Sequence, residues 1–239
     1  MNILIIGGSD GIGLHLAKYY KSIGANVAIV GRSNKNLPDS LKDFFISADV
    51  SHDIGIDNLF KEHFTVLTNL DTLVYTPGYY RNLTFNELSE REYLEHFEVN
   101  NFAFFKILKR VMKKDFTGSG QLKTIIYISS LASLRIFKNS LAYSTSKSST
   151  NHLIDLLRID PAFKNVNLVR VFPGFVETKM VENNNFKMPF IISPERAASL
   201  IIKGLKKGKL DIYFPFWLSS YVRFSALLSP KIIKYLERL

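Results

Sequence analysis

A glycine turn set between an apolar strand and an amphipathic helix constrains this chain more than any other feature. Ile3-Leu4-Ile5-Ile6 runs straight into Gly7-Gly8-Ser9-Asp10-Gly11-Ile12-Gly13. Ile12, Leu16, Ala17, Tyr20 and Ile23 then recur at helical spacing, Gly24 is a natural helix stop, and Val27-Ala28-Ile29-Val30 reads as a second strand. Glycines let such a turn pass close to a diphosphate, and the amides at the helix N-terminus satisfy its charge. The strand before and the helix after are the context that lifts the glycine spacing above chance. A strand–turn–helix–strand unit of this kind predicts an α/β chain built on a parallel sheet.

The rest of the composition is permissive. The chain has 239 residues, 46% hydrophobic and 22% charged, which suits one domain over 1–239 with a full core. It has no cysteine, so disulfides and thiolate metal sites are excluded. That fits a reducing compartment, and a cytoplasmic location is expected. The N-terminus lacks the basic flank and long apolar core of a signal peptide, and no apolar run is long enough to predict a spanning helix. Net charge is +10, spread without the basic stripe of a nucleic-acid binder, so no nucleic-acid partner is expected. The excess is greatest near the C-terminus. Lys203, Lys206, Lys207, Lys209, Arg223, Lys231, Lys234 and Arg238 there face only Asp211 and Glu237.

The second chemical feature is Ser140-Leu141-Ala142-Tyr143-Ser144-Thr145-Ser146-Lys147. Read as a helix start, it places Tyr143 and Lys147 one turn apart on one face. An ammonium beside a phenol favours the phenolate, which predicts a lowered pKa suited to acid/base work. Upstream, Thr124–Ile128 reads as a buried strand ending in Ser129-Ser130, where a serine can donate to a carbonyl oxygen facing the tyrosine. Tyr-x-x-x-Lys alone arises by chance on many helices. The glycine turn and the upstream serine are what give it weight. In this order of motifs, from Met1 to about Phe214, the chain resembles the short-chain dehydrogenase/reductase family.

The resemblance implies a doubly wound Rossmann fold, three α/β/α layers on about seven parallel strands. It implies hydride transfer between a nicotinamide cofactor and a carbonyl/alcohol pair, with no metal. Tyr143 would exchange the hydroxyl proton, Ser130 would orient the oxygen, and Lys147 would lower the tyrosine pKa and hold the ribose. Asn100, in the step Val99-Asn100, would bind water in a proton relay to Lys147. Gly7, Ser9, Asp10, Gly11, Ile12 and Gly13 would cradle the diphosphate, although Ile6 stands where the family usually has Thr. In Gly31-Arg32-Ser33 no acid is present to select NAD(H), and Arg32, with Ser33, can receive a 2′-phosphate, so NADP(H) is expected. Asp49-Val50 resembles the adenine-contacting pair. Tyr75-Thr76-Pro77-Gly78 replaces the usual Asn-Asn-Ala-Gly, keeping only Gly78 and putting the strand-end geometry in question. Pro173-Gly174-Phe175-Val176-Glu177-Thr178 resembles the segment in which Pro173, Gly174, Val176 and Thr178 hold the nicotinamide.

The remaining elements follow from pattern. Phe44–Ile46, Leu70–Tyr75, Asn167–Phe172 and Ile212–Phe214 read as strands, and 53–63 and 193–204 as helices. Ser89-Glu90-Arg91-Glu92 reads as a capping box opening a long helix with the stripe Leu94, Phe97, Phe104, Ile107, Leu108 and Val111. Phe102 and Phe105 beside that stripe predict a face shared with another subunit, as a homodimer or homotetramer. Residues 179–192 read as a substrate-covering loop. The tail 215–239 is apolar and basic, with Phe216, Trp217, Leu218, Tyr221, Val222, Phe224, Leu227 and Leu228. It fits a cleft cover, an oligomer contact or a peripheral contact with an anionic membrane. Phe175, Phe186, Phe190, Phe216 and Trp217 point to an apolar small-molecule substrate. Two other readings stay open: a nucleotide-sensing or scaffold protein that has lost its chemistry, and a nucleotide-sugar epimerase or dehydratase. The stretch after Thr178 is short for the substrate domain of the latter.

Overall fold

The computed structural model describes residues 1–62, 69–113, 122–137, 139–182, 184, 186–229 and 231–233. Seven strands form one sheet: β1 (Asn2–Ile6), β2 (Asn26–Gly31), β3 (Phe45–Ser47), β4 (Thr72–Tyr75), β5 (Thr124–Ile128), β6 (Asn167–Pro173) and β7 (Asp211–Phe214). Their order is β3-β2-β1-β4-β5-β6-β7, and every pairing is parallel. This is the doubly wound α/β fold. The order of connection reverses between β1 and β4, so the carboxyl ends of those strands open a crevice.

Both faces of the sheet are covered, which is why its strands read as unbroken apolar runs and not as alternating ones. Successive side chains point to opposite faces. Leu4 and Ile6 join Leu73, Tyr75, Ile125 and Tyr127 in one core. Ile3 and Ile5 join Val74, Ile126 and Ile128 in the other. The first core is closed by α3 (Asp53–Glu62), α5 (Ala103–Val111) and α6 (Leu141–Ile159), through residues such as Ile56, Phe104 and Ile154. The second is closed by α1 (Gly11–Ser22), the short α2 (Asp39–Lys42) and α7 (Pro194–Lys206), through Leu16, Ala17, Leu41, Ala197 and Ile201. The expected end of α3 at His63 lies outside the described residues, as does Lys234 in the tail.

The single long helix expected after Ser89 is two helices. Ser89 caps α4 (Glu90–Phe97) by accepting from the Glu92 amide at 3.1 Å. The Glu92 carboxylate turns away from the cap to Tyr79 (2.8 Å) and Arg81 (3.2 Å), so half of the capping box forms. A π-helical turn, Glu98–Phe102, then separates α4 from α5 and carries Asn100. Such turns release main-chain carbonyls from the helical ladder. Here two buried tyrosines from adjacent strands take them up: the Tyr75 hydroxyl donates to Val99 O and the Tyr127 hydroxyl to Asn100 O, both at 2.6 Å. The two are register partners, with stacked rings 5.9 Å apart.

At the far edge an ionic network joins α6, β6 and β7. Asp211 accepts from Arg170 (2.8 and 2.9 Å) and Arg158 (2.9 Å), while Arg170 also reaches Asp155 at 2.7 Å. Burial pushes the Asp211 carboxyl up, but Arg170 and Arg158 outweigh it and hold it below its ordinary 3.8. Replacing such a network by apolar groups is often neutral, whereas removing one partner strands the others. Asp211→Asn is expected to destabilise the fold by ~3–5 kcal/mol at neutral pH. The lowered carboxyl contributes its stability above 3.8 and loses it as pH falls through the folded-state value. Urea unfolding in acid should therefore show the gap between the two proteins closing; a gap independent of pH would rule this account out.

Candidate active site

The carboxyl ends of β1, β4, β5 and β6 deliver the glycine turn, Thr76–Gly78, Ser129–Ser130 and Pro173–Gly174 to one cleft of about 1490 Å³. All but two of the catalytic and cofactor residues singled out from the sequence line it. Ser33 and Asn100 do not.

In one half of the cleft the backbone makes the surface. Gly7 adopts φ +77°, a region open to glycine. A Cβ on Gly13 would stand 2.4 Å from the Gly7 carbonyl oxygen, and one on Gly11 would stand 3.1 Å from the Thr178 methyl. The family's hydroxyl is missing at Ile6, but one reaches the turn from β4. Thr76 Oγ1 lies 2.9 Å from Ile6 O and 3.0 Å from Gly7 O. Asp10 caps α1 by accepting from Gly11 N at 2.7 Å. Its carboxylate also pairs with Lys179 at 3.0 Å and accepts from Asn36 at 2.9 Å. Burial pushes the Asp10 carboxyl up, and Lys179 with the Gly11 amide brings it below the ordinary range. Exposed Arg32 lines the same half and helps hold the Asp49 carboxyl down, against burial and together with two Ser51 hydrogen bonds. Glycines where a Cβ would collide, a helix N-terminus and a cation at the rim fit a phosphorylated dinucleotide.

The other half gathers the chemical groups. Tyr143 is buried and hydrogen-bonds the Ser130 side chain. Ser130 also accepts from the Ala132 amide at 3.1 Å. Its neighbour Ser129 turns into the core and donates to Asn151 at 2.8 Å. Lys147 Nζ donates to Ile128 O at 2.9 Å and lies 4.8 Å above the Tyr127 ring. The pair logic of the Tyr-x-x-x-Lys spacing is outweighed here by burial. Desolvation pushes the Tyr143 phenol up to about 12, which the Ser130 bond only partly offsets. Desolvation pushes the Lys147 ammonium down to about 7.

Asn100 is tied into the protein's own hydrogen bonds through both its side chain and its carbonyl. Its amide clamps the Tyr79 peptide from both sides, accepting from Tyr79 N and donating to Tyr79 O, each at 2.9 Å, and donates to Ser146 at 2.9 Å. Its own carbonyl receives Tyr127 and the Thr150 hydroxyl (2.9 Å). It is a positioning residue for the loop after Gly78. A Cβ on Gly78 would stand 3.7 Å from both Asn100 Oδ1 and Lys147 Nζ, and 2.7 Å from the flexible Met180 methyl, so the chain passes close to both groups there.

The residue most clearly missed in the sequence is Tyr80, whose ring meets Tyr143 edge-on with centroids 5.0 Å apart. It follows Gly78-Tyr79, but nothing in the local pattern aims it at Tyr143. Phe175 and Phe186 line the cleft as expected, whereas Phe190, Phe216 and Trp217 do not; Leu131, Phe137, Leu218 and Val222 supply apolar wall instead. The loop above it is pinned at its base, where Glu177 N donates to Ile192 O (3.0 Å) and Ile192 N to Phe175 O (3.1 Å). Within that loop, Asn183 and Asn185 lie outside the described residues.

A doubly wound sheet with a glycine cradle and a Ser–Tyr–Lys cluster across one cleft defines a nicotinamide-dependent oxidoreductase. The comparisons agree. The family model described as short chain dehydrogenase matches residues 1–188. An uncharacterized oxidoreductase of Staphylococcus haemolyticus is 25% identical over 209 residues, covering 84% of this chain and 89% of its own. A 3-oxoacyl-(acyl-carrier-protein) reductase of Chlamydia muridarum is 24% identical over 188 residues, 75% of each chain. Among solved structures, a short chain dehydrogenase from Burkholderia cenocepacia in complex with NADP superposes with a TM-score of 0.80 at 17% identity, over 97% of this chain and 94% of that one. A 4-hydroxyisoleucine dehydrogenase complexed with NADH does so with 0.76 at 22%, over 89% and 96%. The chain belongs to the short-chain dehydrogenase/reductase family and is an oxidoreductase acting on an alcohol/carbonyl pair.

The buried lysine has a measurable consequence. Below about pH 7 both folded and unfolded chains carry the ammonium, and its burial opposes folding in full. Between about 7 and 10.5 only the unfolded chain holds that proton, so the penalty fades as pH rises. Native protein is expected to gain stability relative to Lys147→Met across that window, read from denaturant midpoints. A difference that stays flat would mean the lysine remains charged in the fold.

Proposed function

We propose that this chain is an NADP(H)-preferring reductase of apolar carbonyl compounds, with Tyr143 as proton donor. The observation that carries the reading is the meeting of Tyr143, Ser130 and Lys147 in the cleft whose other half is the glycine cradle rimmed by Arg32. Gly7, Gly11, Gly13, Pro173, Gly174, Val176 and Thr178 hold the dinucleotide, with Asp49 and Val50 toward the adenine and Arg32, backed by Ser33, toward a 2′-phosphate. When bound, the nicotinamide supplies the hydride. The substrate oxygen sits between the Ser130 hydroxyl and the Tyr143 phenol. Ser130 stabilises charge as it develops on that oxygen, and Tyr143 delivers the proton.

The titration state favours reduction. A phenol held near 12 is protonated at neutral pH, the form a donor needs. A lysine near 7 exchanges protons readily in the same range, and in this reading it takes part in restoring the phenol. The altered Tyr75-Thr76-Pro77 segment does not favour the sensor reading, because Tyr75 and Thr76 make strand-end hydrogen bonds of their own. Leu94 on α4, Phe102 in the π-helical turn and Phe105 on α5 stay exposed, which supports a homo-oligomer built through that face.

Two outcomes test the reading. Tyr143→Phe is expected to lower turnover at least ~10²-fold while NADPH still enhances or quenches in a fluorescence titration as it does with native protein; retained turnover would sink the mechanism. Arg32→Glu is expected to invert the ratio of NADPH to NADH affinity. An unchanged ratio would remove Arg32 from cofactor selection.

A further inference from the structure

We propose that the outer face of α8 (Phe216–Ser225) is a docking surface for an anionic lipid bilayer, from which the cleft takes an amphiphilic carbonyl compound. The second half of this statement rests on the reductase reading above; the first does not.

The helix has its faces reversed for water. Its inner face carries Leu218, Ser219, Val222 and Ser225, and the two buried serines spend their hydroxyls on carbonyls of their own helix, Phe216 O and Val222 O, both at 3.0 Å. Its outer face and the turn after it carry Phe216, Trp217, Tyr221, Phe224 and Leu227, which are 69%, 70%, 55%, 71% and 84% exposed. Single exposed apolar residues are ordinary, but five on one face make a patch of the size that marks an interaction site. Each leaves apolar surface in water that burial would remove.

Charge selects the occupant. From Ile212 to Tyr235 the sequence holds no acidic residue. Arg135 stacks 5.4 Å from the Tyr221 ring and donates to its hydroxyl at 3.3 Å, Arg223 lies 4.6 Å over Tyr213, and Lys231 is exposed just beyond. A second copy would face these cations with themselves in a two-fold contact and offer no counter-charge. Anionic headgroups offer it directly, and Trp and Tyr favour the headgroup level. Among the described residues no helix is long and apolar enough to cross a membrane, so α8 would lie in the interface plane. The inner face of the same helix lines the cleft through Leu218 and Val222, beside Leu131 and Phe137. One helix thus separates the apolar wall of the cleft from the proposed lipid surface.

Trp217 is the only tryptophan in the chain, so its fluorescence reports on this face alone. Full-length protein would be titrated with phosphatidylglycerol/phosphatidylcholine vesicles and with phosphatidylcholine alone. The expected result is a blue shift, with quenching by brominated acyl chains, on the anionic vesicles only. The double variant Phe216→Ser/Phe224→Ser should abolish it and still reduce a short water-soluble ketone. Arg223→Gln and Lys231→Gln should each weaken binding about fivefold. Absence of a shift at low salt, or equal binding to neutral vesicles, would overturn the surface. So would emission that is already blue without lipid and changes on dilution, which would show a second copy on this face. Vesicle-bound protein that reduces the soluble ketone, but gains nothing on a long-chain ketone carried in the bilayer, would overturn the substrate half. A protein that binds vesicles and reduces neither would overturn the reductase reading while leaving the surface intact.

Discussion

Asn100 is the point through which the chemical half of the cleft is held together. It has no exposed surface. Its amide fixes the peptide of Tyr79, and so the path of the chain past Gly78 and Lys147. Its carbonyl is free to leave the helix because a π-helical turn releases it, and Tyr127 and Thr150 then claim it. An unmatched carbonyl at that depth costs about 1–3 kcal/mol, so the turn persists because strand tyrosines answer it. Sheet, α6 and the glycine-bearing loop thereby share one hydrogen-bonded centre.

Burial, more than pairing, sets the chemistry next to it. Tyr143 and Lys147 share a helix face, yet desolvation moves their proton affinities toward neutral forms of both. A cofactor's negative charge would shift that balance again. The contact from Ser130 is the part of the arrangement that opposes burial.

The departures from the family pattern are local exchanges of one hydrogen-bond source for another. The hydroxyl lost at Ile6 returns to the same turn from Thr76, across the β1–β4 pairing. The position held by Asn in relatives is Tyr75 here, and its longer side chain reaches Val99 in the π-helical turn. The strand ends that these replacements put in question thus carry hydrogen bonds from other side chains.

The sequence by itself determined the parallel sheet, because both of its faces are buried and every strand became an apolar run. It also determined the glycine cradle, since Gly7's φ favours glycine and a Cβ at Gly7 or Gly13 would collide with its neighbours, and it placed Tyr143 and Lys147 on one turn. Only the tertiary structure decided how those groups behave. Desolvation depends on what packs over a side chain from distant elements, so the opposed shifts of Tyr143 and Lys147 were not legible in their spacing. Tyr80 reaches Tyr143 across more than sixty positions of chain, and the bracing bonds of Asn100 come from Tyr79, Tyr127, Ser146 and Thr150, which lie far from it in sequence. The tail showed its aromatics in sequence, but which of them face the cleft and which face outward is fixed by how α8 rolls against Leu131 and Phe172, a contact no local pattern encodes.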